Sequence, residues 1–146
     1  MMLALILLSV CLTFRSVLAT DFEPCMNATQ PLALRVAGCD HTPCRFPVGE
    51  TAIFEVDFGV DHDVTELEAK AVARAFGIDM TYPLPQPNVC LALTNGECPL
   101  DAGEEVTYRM EMPLLRSFPK IRAMIRFYLR SEHGIETCLR ISGVIV

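Results

Sequence analysis

The stretch IRAMIRFYLR, residues 121–130, decides the fold class of this 146-residue chain. Every odd-numbered position in it is apolar, whereas Arg122, Arg126 and Arg130 occupy even-numbered positions. A period of two is typical of a β-strand with one buried face and one exposed face. The arginine row is therefore interpreted as the solvated face of a sheet, although the same row would also suit a partner or an anionic headgroup.

The same alternation continues outward along most of the chain. Between the alternating segments lie turn signals such as the proline run from Pro83 to Pro87. Short strands at such intervals predict an all-β sandwich or barrel. The other alternating segments are residues 32–36, 52–58, 107–112 and 139–145.

Residues 65–76 are open to two interpretations. Their alanine and glutamate content favours a helix, and Thr65 with Glu68 has the spacing of a capping box. The apolar residues nevertheless alternate with mostly charged neighbours from Leu67 to Ala75. We predict a strand, which would line one face with small side chains and leave volume beside the core.

The first 19 residues have the pattern of a secretory signal peptide. The apolar run Leu3 to Phe14 is too short to cross a membrane, and Val17 and Ala19 are small enough for positions −3 and −1 of a cleavage site. We expect a mature domain of residues 20–146 in the secretory pathway, outside the cell or in the endosomal–lysosomal lumen.

The overall charge of the chain argues against two classes of partner. Eighteen acidic residues outnumber twelve lysines and arginines, which gives a net charge of −6. An acidic chain without a long basic run is a poor candidate for binding nucleic acid, or for electrostatic capture by an anionic membrane.

Six cysteines remain beyond the predicted leader, an even number that implies disulfides in an oxidising compartment. Six cysteines allow 15 connectivities, and the sequence alone does not choose among them. Loop closure favours pairing Cys39 with Cys44 and Cys90 with Cys98, which leaves Cys25 for Cys138.

The sequence contains no recognisable catalytic or metal-binding motif. His41, His62 and His133 lie in polar, loop-like contexts away from any nucleophile motif. We predict no enzymatic activity, no cofactor and no metal. Asn27 opens an Asn-Ala-Thr glycosylation sequon, so we expect it at the surface and glycosylated.

Several motifs together resemble the Niemann-Pick type C2 proteins, members of the ML superfamily of lipid-recognition domains that includes the mite group 2 allergens. The resemblance covers essentially the whole chain beyond the leader. Its motifs are Cys39-x4-Cys44, Phe46-x2-Gly49, Tyr82-Pro83-Leu84-Pro85-x-Pro87, Cys90, Cys98-Pro99, Pro113 to Phe118-Pro119-x-Ile121, and Cys138.

The resemblance implies an immunoglobulin-like sandwich of two antiparallel sheets with about seven strands. It also implies three disulfides, Cys25–Cys138, Cys39–Cys44 and Cys90–Cys98, and a strand at residues 66–76.

The resemblance further implies a lipid held between the sheets. Tyr82, Leu114 and Phe118 correspond to pocket positions of sterol-binding members. Their aligned neighbours are Val36, Phe46, Ala52, Phe54, Ala71, Ala75, Met80, Pro113, Ile121 and Ala123.

We therefore expect a monomeric carrier of a sterol, a fatty acid or another apolar lipid, with a membrane or a receptor protein as acceptor. The alternative is an extracellular, innate-immune or receptor-associated module that recognises a lipid or glycolipid.

Overall fold

The computed structural model describes residues 18–146 and contains ten β-strands in that range. No helix among those residues is long and apolar enough to cross a membrane. Most of the predicted leader, residues 1–17, lies outside the described residues. The strands are β1 (Glu23–Pro24), β2 (Ala33–Val36), β3 (Cys44–Phe46), β4 (Thr51–Gly59), β5 (Glu68–Ala75), β6 (Ile78–Tyr82), β7 (Leu93–Asn95), β8 (Glu105–Pro113), β9 (Arg122–Ser131) and β10 (Gly134–Ile145).

The strands form two sheets that face each other across one apolar core. The first sheet has the order β1-β10-β9-β5-β6, with β3 added parallel to β10, and the second has the order β2-β4-β8-β7. All other pairings are antiparallel. The predicted all-β sandwich is confirmed, and seven of the ten strands have four or more residues.

Strand β9, which contains the alternating stretch, lies at the centre of the first sheet between β10 and β5. Its odd-numbered residues from Ala123 to Leu129 are buried, and its three arginines are exposed. Burial of one face and solvation of the other is what the period of two predicts.

Residues 68–75 form strand β5, so the prediction of a strand is confirmed over this range. The capping box does not form, because Thr65 donates its amide and hydroxyl hydrogens to the Glu132 carboxylate at 2.8 and 2.7 Å. These donors, together with the amide of Glu66, lower the pKa of Glu132 to about 2. Pairing with β9 buries Ala69 and Ala71, which explains why tertiary context overrides helix propensity.

Three phenylalanine rings connect the sheets at the centre of the core. The Phe54 ring lies 5.8 Å from that of Phe46 and 5.0 Å from that of Phe127, measured between centroids. The three side chains come from β4, β3 and β9, and all are buried. This cluster packs the two sheets together and borders the cavity described below.

Three disulfides reinforce the sandwich, as predicted. They join Cys25 to Cys138, Cys39 to Cys44 and Cys90 to Cys98, the pairing that the resemblance implies. The first one fixes the N-terminal segment against β10 near the other end of the chain. Asn27 lies two residues beyond Cys25 and is exposed, as a glycosylated asparagine would need to be.

Candidate ligand-binding site

A cavity of about 260 Å³ lies between the two sheets, at the end of the sandwich where β4 and β9 begin and β8 ends. Among residues 18–146, no charged residue lines it, and Thr81 and Tyr82 carry its only polar side-chain groups. The lining consists of Phe46, Ala52, Phe54, Ala71, Ala73, Met80, Thr81, Tyr82, Pro83, Met112, Leu114, Phe118, Pro119, Ile121, Ala123, Ile125, Gly143 and Ile145.

Small side chains account for the space between the sheets at this end. Ala71 and Ala73 of β5 line the cavity opposite Ala52 of β4, and Gly143 of β10 adds no side chain. Toward the other end of the sandwich, larger residues such as Phe58 and Leu100 are fully buried. The space between the sheets is therefore filled by side chains at one end of the sandwich and is open at the other.

Two aromatic residues meet at the mouth of the cavity. The Tyr82 and Phe118 rings pack edge to face, with centroids 6.1 Å apart. The Tyr82 hydroxyl, from the first sheet, donates a 2.7 Å hydrogen bond to the Pro113 carbonyl of the second. Burial raises the pKa of the Tyr82 phenol, so it remains a neutral donor. This hydrogen bond links the two sheets across the mouth.

Gly143 determines where one wall of the cavity lies. A Cβ atom at this position would be 2.6 Å from Cε2 and 3.0 Å from Cδ2 of Phe46, and 3.3 Å from Cδ1 of Ile125. Both neighbouring side chains line the cavity. The aromatic ring of Phe46 therefore occupies its position only because residue 143 has no side chain.

The chemistry of the lining restricts what the cavity can hold. A bound group inside it would meet methyl, methylene and aromatic carbon but no charge to balance its own. Burying an unpaired charge or an unbonded polar group is strongly unfavourable. The cavity therefore suits an apolar molecule whose polar group, if it has one, remains at the mouth beside Tyr82 and Phe118.

The structure brings ten of the thirteen predicted pocket residues to this cavity. Val36, Ala75 and Pro113 are not part of the lining: the first two are buried in the sandwich, and Pro113 contributes its carbonyl to the hydrogen bond at the mouth. Whether any of the thirteen contacts a ligand stays a prediction. The ten in the lining are Phe46, Ala52, Phe54, Ala71, Met80, Tyr82, Leu114, Phe118, Ile121 and Ala123.

Eight lining residues were missed by the sequence analysis. The alternating pattern places Ala73, Met112 and Ile125 on inward faces, so a signal for them was present. Pattern alone does not separate a residue beside a cavity from a residue in a filled core, and this limits the prediction. The other five are Thr81, Pro83, Pro119, Gly143 and Ile145.

His62 has a defined partner, although the sequence suggested a solvated loop around it. Its Nε2 lies 2.7 Å from Oε1 of the buried Glu136, and its Nδ1 lies 2.7 Å from Oδ1 of Asp61. Hydrogen bonding to Glu136 is the main reason why the pKa of His62 is raised. Within residues 18–146 these three form the one group whose ligand atoms are close enough to hold a metal ion. The His62 ring contacts both carboxylates, so the three side chains interact with one another.

The molecule is a two-sheet β-sandwich with an apolar cavity between its sheets. The chain belongs to the ML domain family. The family model E1_DerP2_DerF2: ML domain matches residues 19–144.

Individual relatives show the same relationship. The chain is 28% identical over 131 residues to NPC intracellular cholesterol transporter 2 homolog a of Drosophila melanogaster, covering 87% of this chain and 88% of that protein. The crystal structure of a Niemann-Pick type C2 protein from the Japanese carpenter ant has a TM-score of 0.76 and 22% identity, with coverage of 86% and 99%. Chicken MD-1 complexed with lipid IVa has a TM-score of 0.53 and 16% identity, with coverage of 83% and 85%.

Proposed function

We propose that this protein is a secreted, monomeric carrier that holds a sterol or a similar apolar lipid in the cavity between its sheets. The observation that carries the proposal is the cavity itself, which has an apolar lining, an aromatic mouth and no charged residue from the described part of the chain. The name of the Drosophila relative specifies cholesterol as its cargo, and this supports a sterol for the present chain. We propose binding and transfer without catalysis.

The hydrophobic effect supplies the binding energy in this proposal. Burial of ~400 Å² of ligand surface at ~25 cal/mol per Å² corresponds to about 10 kcal/mol before the costs of association. Since no ion pair with the ligand is involved, we expect affinity to vary little with salt. Specificity would come from the shape of the cavity rather than from polar contacts.

We propose that the sheets move apart on binding, because the cavity is small. Its 260 Å³ lies just below the range of about 300–1,000 Å³ typical of pockets that enclose small-molecule ligands. Ring rotation of Phe118, together with loss of the hydrogen bond from Tyr82 to Pro113, would widen the mouth. We propose that these two aromatic residues act as the gate for entry and exit.

Extraction of the purified protein with organic solvent, followed by mass spectrometry, tests for a co-purifying lipid. Titration with a fluorescent sterol then tests the cavity directly. We expect saturable binding with a micromolar or lower Kd in the wild type. In Ala71→Phe, a ring projects into the cavity from β5, and we expect Kd to rise by about tenfold or more because the buried ligand area is lost.

Ala102→Phe is the matched control, since Ala102 is exposed in a turn between β7 and β8 and lies outside the cavity lining. The control should bind sterol as the wild type does. If the wild type carries no lipid and binds no fluorescent sterol, the proposal is wrong. Equal sterol affinity in Ala71→Phe and wild type, with both folded, would locate binding elsewhere.

A second candidate is an extracellular recognition module that presents a lipid or glycolipid to a receptor. The similarity to chicken MD-1 complexed with lipid IVa favours this alternative. Leu115, exposed beside the mouth, would then contact the receptor. Receptor-dependent association that requires a bound glycolipid, without transfer of sterol between membranes, would select the module over the carrier.

A further inference from the structure

The outer face of the first sheet is basic, although the chain as a whole is acidic. Strand register places seven lysine or arginine residues on this face against Glu23, Glu68 and Asp79, an excess of four positive charges. The whole chain has a net charge of −6, so the positive charge is local. The seven basic residues are Arg45, Lys70, Arg74, Arg122, Arg126, Arg130 and Arg140.

Only part of this charge is neutralised within the sheet. Lys70, Arg74 and Arg140 each have a carboxylate oxygen within 3.5 Å. The arginine row of β9, residues 122, 126 and 130, and Arg45 beside it have no carboxylate within 4.0 Å in the described part of the chain. These guanidinium groups are therefore available to an external anion.

Two of the arginines lie directly opposite each other on neighbouring strands. Arg126 of β9 and Arg140 of β10 are Cα partners in the ladder. Like charges in this arrangement destabilise a sheet. The guanidinium of Arg126 lies 5.5 Å from the centroid of the Tyr128 ring, and the buried Nε of Arg140 has no hydrogen-bond partner. Glu23 offsets the charge of Arg140 only, so an anion that reaches Arg126 would relieve the remaining repulsion.

The arginines lie in a groove. Arg126, Arg130 and Arg140 line it together with Tyr128, and the segment from Cys25 to Ala28 forms part of its wall. Its volume is about 640 Å³. Along β9 the three arginines of the row follow one another at intervals of about 14 Å, since a strand rises about 3.4 Å per residue. Arg126 and Arg130 therefore follow one another within a concave surface, and Arg122 continues the row beyond it.

We propose that this groove binds a linear sulfated polysaccharide. Guanidinium groups pair with oxyanions through two parallel hydrogen bonds, and a sulfated chain presents such oxyanions at intervals along a line. A flat bilayer would not reach charges in a groove as a flexible chain does. A single-stranded nucleic acid would require exposed aromatic platforms, whereas Tyr128 is half-buried beneath Arg126.

The outer face of the second sheet lacks these properties. Arg35 there is held between Glu55 and Asp57, at 3.3 and 2.7 Å, and Arg109 pairs with Glu111. Four carboxylates on this face, those of Glu55, Asp57, Glu105 and Glu111, outnumber its two arginines. An electrostatic attraction to a polyanion is therefore confined to one side of the molecule.

Fluorescein-labelled heparin is the probe, and its Kd is measured by fluorescence polarisation at 50 and 150 mM NaCl. All proteins carry Thr29→Ala, which removes the sequon beside the groove and leaves Asn27 in the left-handed conformation that asparagine tolerates. We expect Arg126→Gln/Arg130→Gln to weaken heparin binding by about tenfold or more, since each loses a charge-assisted contact.

The matched control, Arg109→Gln/Lys120→Gln, removes the same charge outside the groove and should bind heparin as the parent does. The groove variant should take up fluorescent sterol normally, which shows that its fold is intact and separates this proposal from the carrier function. No heparin binding at 50 mM NaCl would overturn the proposal. So would equal weakening in the control, equal binding of desulfated heparin, or equal binding of DNA.

Discussion

Tyr82 combines two roles at the mouth of the cavity. Its ring packs against Phe118, and its hydroxyl connects the first sheet to the Pro113 carbonyl of the second. The ring contact is apolar and would adapt to a ligand, whereas the hydrogen bond has a fixed partner and must break for the sheets to part there. Resistance to opening is therefore concentrated in one polar contact.

Tyr82→Phe removes this contact and keeps the ring. We expect the free energy of unfolding to fall by about 1 kcal/mol, the net value of a typical hydrogen bond. We also expect bound fluorescent sterol to dissociate faster, because opening no longer breaks the hydrogen bond. Urea denaturation and stopped-flow dissociation measure the two effects.

Tyr108→Phe is the control for this experiment. The Tyr108 hydroxyl also donates to a backbone carbonyl, that of Gln86 at 3.0 Å, but Tyr108 is buried outside the cavity lining and its pKa is raised by burial to about 12. This variant should lose stability without faster release of sterol. Equal release rates in Tyr82→Phe and wild type would show that the hydroxyl does not restrain the mouth.

The inward orientation of the cavity residues follows from the sequence, but the cavity does not. Phe54 and Ile125 follow the same period of two along their strands as the filled-core residue Phe58. Tyr82 and Phe118 could be selected only through the family resemblance, because their position at a mouth depends on how two sheets diverge. That divergence is a property of the packed sandwich and not of any single strand.

Strand β5 could be predicted from the sequence pattern, whereas the contacts of the loop before it could not. Alternation from Leu67 to Ala75 predicts the strand, and pairing with β9 explains why it prevails over helix propensity. The loop at residues 60–67 gave no such signal. His62 contacts Glu136 of β10, 74 positions away, and Val64 pairs with Leu100. Contacts so distant in sequence leave no local pattern.

The pairing of His62 with Glu136 makes one of the contacts that hold this loop dependent on pH. Because the pKa of His62 is raised in the folded protein, the stabilising contribution is fully present below pH ~6.5. It is lost as pH rises through the raised pKa. We expect faster amide hydrogen exchange in residues 60–67, relative to the intrinsic rates, above that pKa. Measurement by mass spectrometry between pH 6 and 9 tests this.

Glu136→Gln should lower the pKa of His62, as observed by NMR titration, and shift the change in exchange to lower pH. His41→Gln is the control, because His41 is largely exposed and pairs with Asp21 instead. An exchange profile for residues 60–67 that is unchanged in Glu136→Gln would contradict the assignment.

At the scale of the whole molecule, one disulfide joins two segments of the sandwich that are far apart in sequence. Cys25 and Cys138 are 113 residues apart, whereas Cys39 and Cys44 are separated by 5. In the chain-entropy description, a cross-link stabilises the fold by restricting the unfolded chain, and more so for a longer loop. The bridge to β10 should therefore contribute most.

Replacement of Cys25 and Cys138 by serine should lower the free energy of unfolding by about 5 kcal/mol, against about 2 kcal/mol for Cys39 and Cys44. Urea denaturation of the two double variants measures the difference. If both variants lose the same stability, restriction of the unfolded chain is not the source of stabilisation. Each double variant places a serine at a buried position, Cys138 in one and Cys44 in the other, so both carry a polar penalty.

The absence of a side chain at residue 143 has a consequence for how such proteins diverge. A methyl group there would push the Phe46 ring and narrow the space between the sheets, with no change at the surface. After gene duplication, one substitution at this position would give the two copies cavities that accept ligands of different width. The difference in size selectivity would then be determined by a residue that makes almost no contact with the ligand.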